Sequence, residues 1–113
     1  MKKKGFVYTL KLEDEKYYVG YTTNLARRMT EHMTGIGGAK FTSKHVPKSV
    51  LQVTEGDQNL ELAQTVVMMH KHGWENVRGS EFCQVEMDAM PDVLRVYPTR
   101  SKIQFQSNGS NKV

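Results

Sequence analysis

Gly5-Phe-Val-Tyr-Thr-Leu-Lys-Leu12 and Lys16-Tyr-Tyr-Val-Gly-Tyr21 stand on either side of Glu13-Asp14-Glu15. Both stretches are rich in β-branched and aromatic residues, the composition of strands. The acidic connection is short enough to turn the chain back on itself, so an antiparallel hairpin is expected. Within it, Phe6-Val7-Tyr8 and Tyr18-Val19-Gly20 place two phenols on neighbouring strands. A short turn allows both to share one face of the sheet.

Working outward, Thr22-Thr23-Asn24 is polar and suited to cap a helix, with Asn24 or Thr23 as the N-cap. The helix itself reads Leu25-Ala-Arg-Arg-Met-Thr-Glu-His32, with Leu25, Met29 and His32 or Met33 on one face. Arg28 lies one turn before His32, which favours it over Arg27 as the inward-facing arginine. Thr34 to Pro47 holds three glycines with Lys40, Lys44 and His45, and is expected to be a basic loop. Ser49 to Thr54 alternates like a third strand. Asp57 or Asn59 then caps a second helix from Leu60 to His72, stopped by Gly73. Trp74 to Phe82 reads as irregular, and Gln84 to Met90 as a short helical turn or an extended arm. Val93 to Tyr97 suits a strand or a helical fragment equally. From Thr99 onward the chain is polar, so residues 1–98 are expected to form one domain and 99–113 a flexible tail.

The length of 113 residues supports a single domain with a core of its own. The formal charge of +4 favours a polyanionic partner, although part of it comes from Lys2-Lys3-Lys4. One cysteine, Cys83, excludes an internal disulfide and a cysteine-based zinc site. No run of about 20 apolar residues is present to span a bilayer, nor the apolar core of a signal peptide. The expectation is an intracellular protein, cytoplasmic or nucleoid-associated.

Phosphodiester hydrolysis needs an activated water, positive charge at the phosphate and help for the departing oxygen. Tyr8 and Tyr18 offer hydroxyl groups, and the planar fork of Arg28 suits phosphate oxygens. Glu61, near the start of the second helix, can bind Mg²⁺. Each has an ordinary alternative: cross-strand packing for the tyrosines, solvent for the arginine, and dipole complementarity for the glutamate. His32 near its helix end is as well explained by the dipole as by chemistry.

Together these residues resemble the GIY-YIG endonuclease family. Phe6-Val7-Tyr8 stands at the first family motif, with Phe-Val for Gly-Ile, and Tyr18-Val19-Gly20 at the second. Arg28-Met29-Thr30-Glu31-His32 is similar to the arginine-bearing helix, and Gly38-Ala39-Lys40-Phe41-Thr42 to the loop that follows it. Glu61, twelve residues before Gly73 and followed by Val77-Arg78-Gly79, is similar to one subgroup. The resemblance implies an α+β fold with a small three-stranded antiparallel sheet flanked by helices. It implies endonucleolytic hydrolysis of DNA with one Mg²⁺ or Mn²⁺ held by Glu61. Tyr8 would serve as general base or water-orienting group, Tyr18 would bond the phosphate or water, Arg28 would stabilise charge, and His32 would assist. Gln64 competes with Glu61 for the metal position if the helix is aligned one turn later. Lys40, Lys44, His45, Arg27 and Arg78 are candidate nucleic-acid contacts. Two rival readings are a catalytically weak or inactive nucleic-acid-binding module on the same fold, and a protein-interaction domain.

Overall fold

The computed structural model describes residues 4–37, 39–80, 82, 87, 89–92 and 94. The expected hairpin forms from β1 (Phe6–Leu12) and β2 (Tyr17–Thr22), which pair antiparallel with Tyr8 opposite Gly20 and Leu10 opposite Tyr18. Glu13–Glu15 make a tight 3-10 turn in which Asp14 and Glu15 take positive φ angles of 64° and 58°. Helix α1 (Leu25–Thr34) follows, with the Asn24 side chain accepting the Arg27 N–H at 3.1 Å, which settles the N-cap.

Two expectations are corrected next. The stretch from Thr34 to Pro47 is not all loop, since Lys40–Lys44 form a short helix, α2, whose Phe41 and Thr42 are buried. The sheet is four-stranded and mixed rather than three-stranded and antiparallel, with strand order β3-β1-β2-β4. Strand β3 (Pro47–Glu55) pairs antiparallel with β1, and helix α3 (Gln58–His72) begins at Asp57, which caps the Leu60 N–H. After a 3-10 turn at Trp74–Asn76, strand β4 (Val77–Gly79) runs parallel to β2. Three residues are too few to show a period of two, which is why this segment reads as irregular. Expectations for Gln84 to Met90, Val93 to Tyr97 and the tail fall largely or wholly outside the described residues.

Alternation along β1 and β2 divides the core into two layers. Val7, Tyr17 and Val19 pack with Val66, Met68 and Met69 of α3, with Val77 and with Leu94. Tyr8, Leu10, Leu12 and Tyr18 face the other way and pack with Phe41, Leu25 and Met29. The central hairpin is thus buried on both faces, and its apolar content follows from that. Among the described residues no helix is long and apolar enough to cross a membrane.

Arg78, expected as a nucleic-acid contact, is built into this framework. It is 3% exposed, and its Nη1 donates to the carbonyl oxygens of Val77, Trp74 and Glu75 at 2.9, 3.1 and 3.4 Å. Its guanidinium lies 4.9 Å from the Phe41 ring centre, joining β4 to α2. Arg78→Met strands these carbonyl groups and is expected to lower unfolding free energy by about 2–3 kcal/mol in urea titrations. An unchanged midpoint and slope would show that the guanidinium adds nothing to stability.

Candidate active site

The two tyrosines of the hairpin share the α1 face as the alternation requires, with ring centres 6.3 Å apart. Tyr8 is 1% exposed and lies directly over Gly20 of the neighbouring strand. A Cβ on Gly20 would collide with the Tyr8 hydroxyl and ring, so the glycine of the second tripeptide gives the first tyrosine its seat.

From α1, His32 is buried at 2% exposure, whereas Met33 is exposed, which resolves the choice of inward residue. The Tyr8 phenol oxygen lies 2.7 Å from His32 Nε2, and the His32 ring centre is 5.2 Å from that of Tyr18. Of the two arginines, Arg28 turns inward while the Arg27 side chain remains 75% exposed beside Glu31. Arg28 Nε donates to the Tyr8 oxygen over a long 3.4 Å. Its Nη1 donates to Glu31 Oε1 at 2.8 Å and to the Gly37 carbonyl at 3.0 Å. Among the described residues, Nη2 has no partner and is available to an anion.

These surroundings set the charge states. Burial raises the Tyr8 pKa, with Tyr18 adding to the rise, Arg28 opposing it and the Glu61 charge adding a further push. The phenol therefore keeps its proton at neutral pH. Burial pulls His32 down to about 4, with the Arg28 charge acting in the same direction, so the imidazole is neutral. Burial works against the Arg28 charge, but its bonds to Glu31 and Tyr8 outweigh that effect and hold it a cation. Glu31 in turn is lowered by its bond to Arg28.

Glu61 approaches from the other layer. It lies in the first turn of α3, half-buried, where its carboxylate accepts the backbone N–H of Ser80 just beyond β4. Burial raises its pKa, and the Ser80 bond offsets only part of the rise. Among the described residues no cation pairs with it. Gln64, the competing residue, faces elsewhere: its Nε2 donates to Thr9 Oγ1 at 3.4 Å, beside a small pocket with Gln52 and Thr54. The two residues one turn apart thus face different surroundings, Glu61 beside Ser80 and Gln64 beside Thr9.

Tyr8, Tyr18, Arg28 and His32 are thus brought together, whereas Glu61 lies on the other layer. The expected nucleic-acid contacts divide differently. Arg27, Lys40 and Lys44 are exposed. His45 is engaged by Asp14 at 2.9 Å and packs on Phe41, at the hairpin turn. Glu31 and Thr42 escaped the sequence reading as site residues. A carboxylate three residues after Arg28 is a signal for the first. Thr42 lies 2.9 Å from His32 Nδ1, a contact between helices that no local spacing encodes.

Comparison with known proteins identifies the family. The family model described as the GIY-YIG catalytic domain matches residues 4–72. A UPF0213 protein of Streptococcus pneumoniae strain R6 is 39% identical over 51 residues, covering 45% of this chain and 50% of the relative. A UPF0213 protein of Natronomonas pharaonis is 42% identical over 52 residues, covering 46% and 60%. Another, from Syntrophus aciditrophicus, is 36% identical over 50 residues, covering 44% and 58%. The chain spans about half the length of the curated relatives it matches. No solved structure matches it. With more than half of its residues matched and both tyrosine tripeptides in place, the chain belongs to the GIY-YIG family of nuclease domains.

Proposed function

We propose that this domain is an endonuclease that hydrolyses phosphodiester bonds in DNA with one Mg²⁺ or Mn²⁺. The observation that carries the reading is the Tyr8 hydroxyl, held 2.7 Å from a neutral His32 and bonded by Arg28. A protonated phenol is a poor base alone, but it can take a proton from water while passing its own to an imidazole. The water oxygen then attacks phosphorus and the ester P–O bond on the opposite side breaks, its oxygen leaving with the electron pair. Arg28 offers a fixed cation to the charge that develops on the phosphate oxygens. Tyr18 hydrogen-bonds the phosphate or the attacking water.

Glu61 would hold the metal ion. A half-buried carboxylate with no protein cation beside it among the described residues fits this role. Magnesium characteristically takes one or two carboxylates and fills its remaining positions with water and substrate oxygens. When bound, it supplies positive charge to the phosphate and its leaving oxygen. The exposed Arg27, Lys40 and Lys44 would contact the DNA backbone, a salt-sensitive attraction.

Tyr8→Phe, Arg28→Ala and Glu61→Ala are each expected to lower cleavage of plasmid DNA at least about 100-fold with folding intact. Glu61→Gln should lose metal-dependent cleavage while keeping DNA affinity in a gel-shift titration. Full activity in any of these variants removes that residue from the mechanism, and an inactive wild type that binds DNA favours the binding-module reading.

The His32 environment also predicts a pH dependence of stability. Its folded pKa of about 4 lies below the ordinary 6.5, so the unfolded chain binds protons better between those values. The stabilisation from neutral His32 is therefore fully present above about pH 6.5 and is lost as pH falls to about 4. Glu61 acts in the opposite sense, but equally in wild type and in a His32 variant. Urea titrations of wild type and His32→Gln should show the wild type losing on the order of 3 kcal/mol more between about pH 7 and pH 4. Parallel losses would show that His32 does not resist protonation.

A further inference from the structure

We propose that Thr42 is a positioning residue: its hydroxyl selects the His32 tautomer with the proton on Nδ1, leaving Nε2 bare to receive the Tyr8 proton. This rests on the proton hand-off proposed for Tyr8 and His32, and goes beyond it by naming what sets the direction.

Both His32 nitrogens are engaged, Nε2 at 2.7 Å from the Tyr8 oxygen and Nδ1 at 2.9 Å from Thr42 Oγ1. A neutral imidazole carries one N–H, so either contact alone permits two directions. Thr42 decides between them. Its hydroxyl has a single hydrogen, and that hydrogen goes to the Ala39 carbonyl at 2.9 Å. Oγ1 therefore meets Nδ1 with a lone pair and can only accept. With the hydroxyl so directed, Nδ1 carries the proton, Nε2 is bare, and the Tyr8 O–H points at Nε2.

The other end of the row agrees. Arg28 has donors only, so the phenol accepts from it at 3.4 Å and cannot donate back. Donation thus runs one way, from Arg28 to Tyr8 to His32 to Thr42 to a backbone carbonyl. Reversing the Thr42 hydroxyl would take this bond from the Ala39 carbonyl, leaving it only the Ser43 N–H at 3.0 Å, and would make the phenol accept from Nε2 instead of donating to it.

The fold holds Thr42 where this requires. It is 2% exposed on α2, next to Phe41, whose ring rests against the buried Arg78. The chain leading into α2 is tied to α1 through the bond from Arg28 to the Gly37 carbonyl at 3.0 Å. Thr42 touches no reacting atom in this scheme; it acts through His32.

The test combines imidazole nitrogen NMR with kinetics on the full chain. Long-range ¹H–¹⁵N spectra at neutral pH, assigned by the signal missing in His32→Gln, should show His32 with Nδ1 protonated and Nε2 bare. Thr42→Val keeps the shape and removes the acceptor. It is expected to move His32 toward the Nε2–H tautomer and to lower kcat on a DNA duplex with Mg²⁺ about 10- to 100-fold, leaving KM little changed. Thr42→Ser should restore both the tautomer and the rate. A wild-type spectrum with Nε2 protonated overturns the proposal, as does a Thr42→Val protein with the wild-type tautomer. Should Thr42→Val fail to fold, the wild-type and Thr42→Ser spectra still decide it. Absence of nuclease activity in the wild type would instead count against the hydrolase reading, since the tautomer is measured without substrate.

Discussion

The seating of one phenol ring over a glycine organises this domain. Tyr8 can reach α1 only because Gly20, its partner across the hairpin, has no side chain in the way. Once seated, the ring is buried between a neutral imidazole and a guanidinium, and its proton is held on by the same burial. Core packing and chemistry therefore share an atom set. On the proposed mechanism, a group that stabilises one layer of the sheet is also the one that moves a proton.

The two-layer design explains how the remaining parts arrive. One layer carries Tyr8, Tyr18, Arg28 and His32, all within the first third of the chain. The other carries α3, which brings Glu61 to the end of β4 from the opposite side. The short parallel strand Val77–Gly79 matters more than its length suggests, because the Ser80 N–H that follows it holds the carboxylate. Arg78 on the same strand ties this edge to α2. Cationic residues thus take two distinct roles here, Arg28 inside the site and Arg78 inside the framework.

Much of this was legible in the sequence for identifiable reasons. The hairpin announces itself through β-branched and aromatic residues around a short acidic turn, and α1 through its cap and its four-residue spacing of Arg28 and His32. Gly-rich and polar composition hid α2, and a three-residue strand hid β4 and with it the mixed character of the sheet. That Glu61 lies beside Ser80 and Gln64 beside Thr9 depends on how α3 is rotated against the sheet, which no local pattern contains. Arg78 looked like a surface cation because charge alone does not reveal burial. The contact from Thr42 to His32 joins two helices across a glycine-rich connection, so it too lies beyond local pattern.

The central claim is that the Tyr8 hydroxyl moves a proton during phosphodiester hydrolysis. Fluorinated tyrosines of graded phenol acidity, placed at position 8, test it directly through single-turnover cleavage rates at saturating Mg²⁺. The account predicts rates that follow phenol acidity at position 8 and stay constant when the same analogues replace Tyr17. A rate at position 8 that is indifferent to phenol acidity would contradict it.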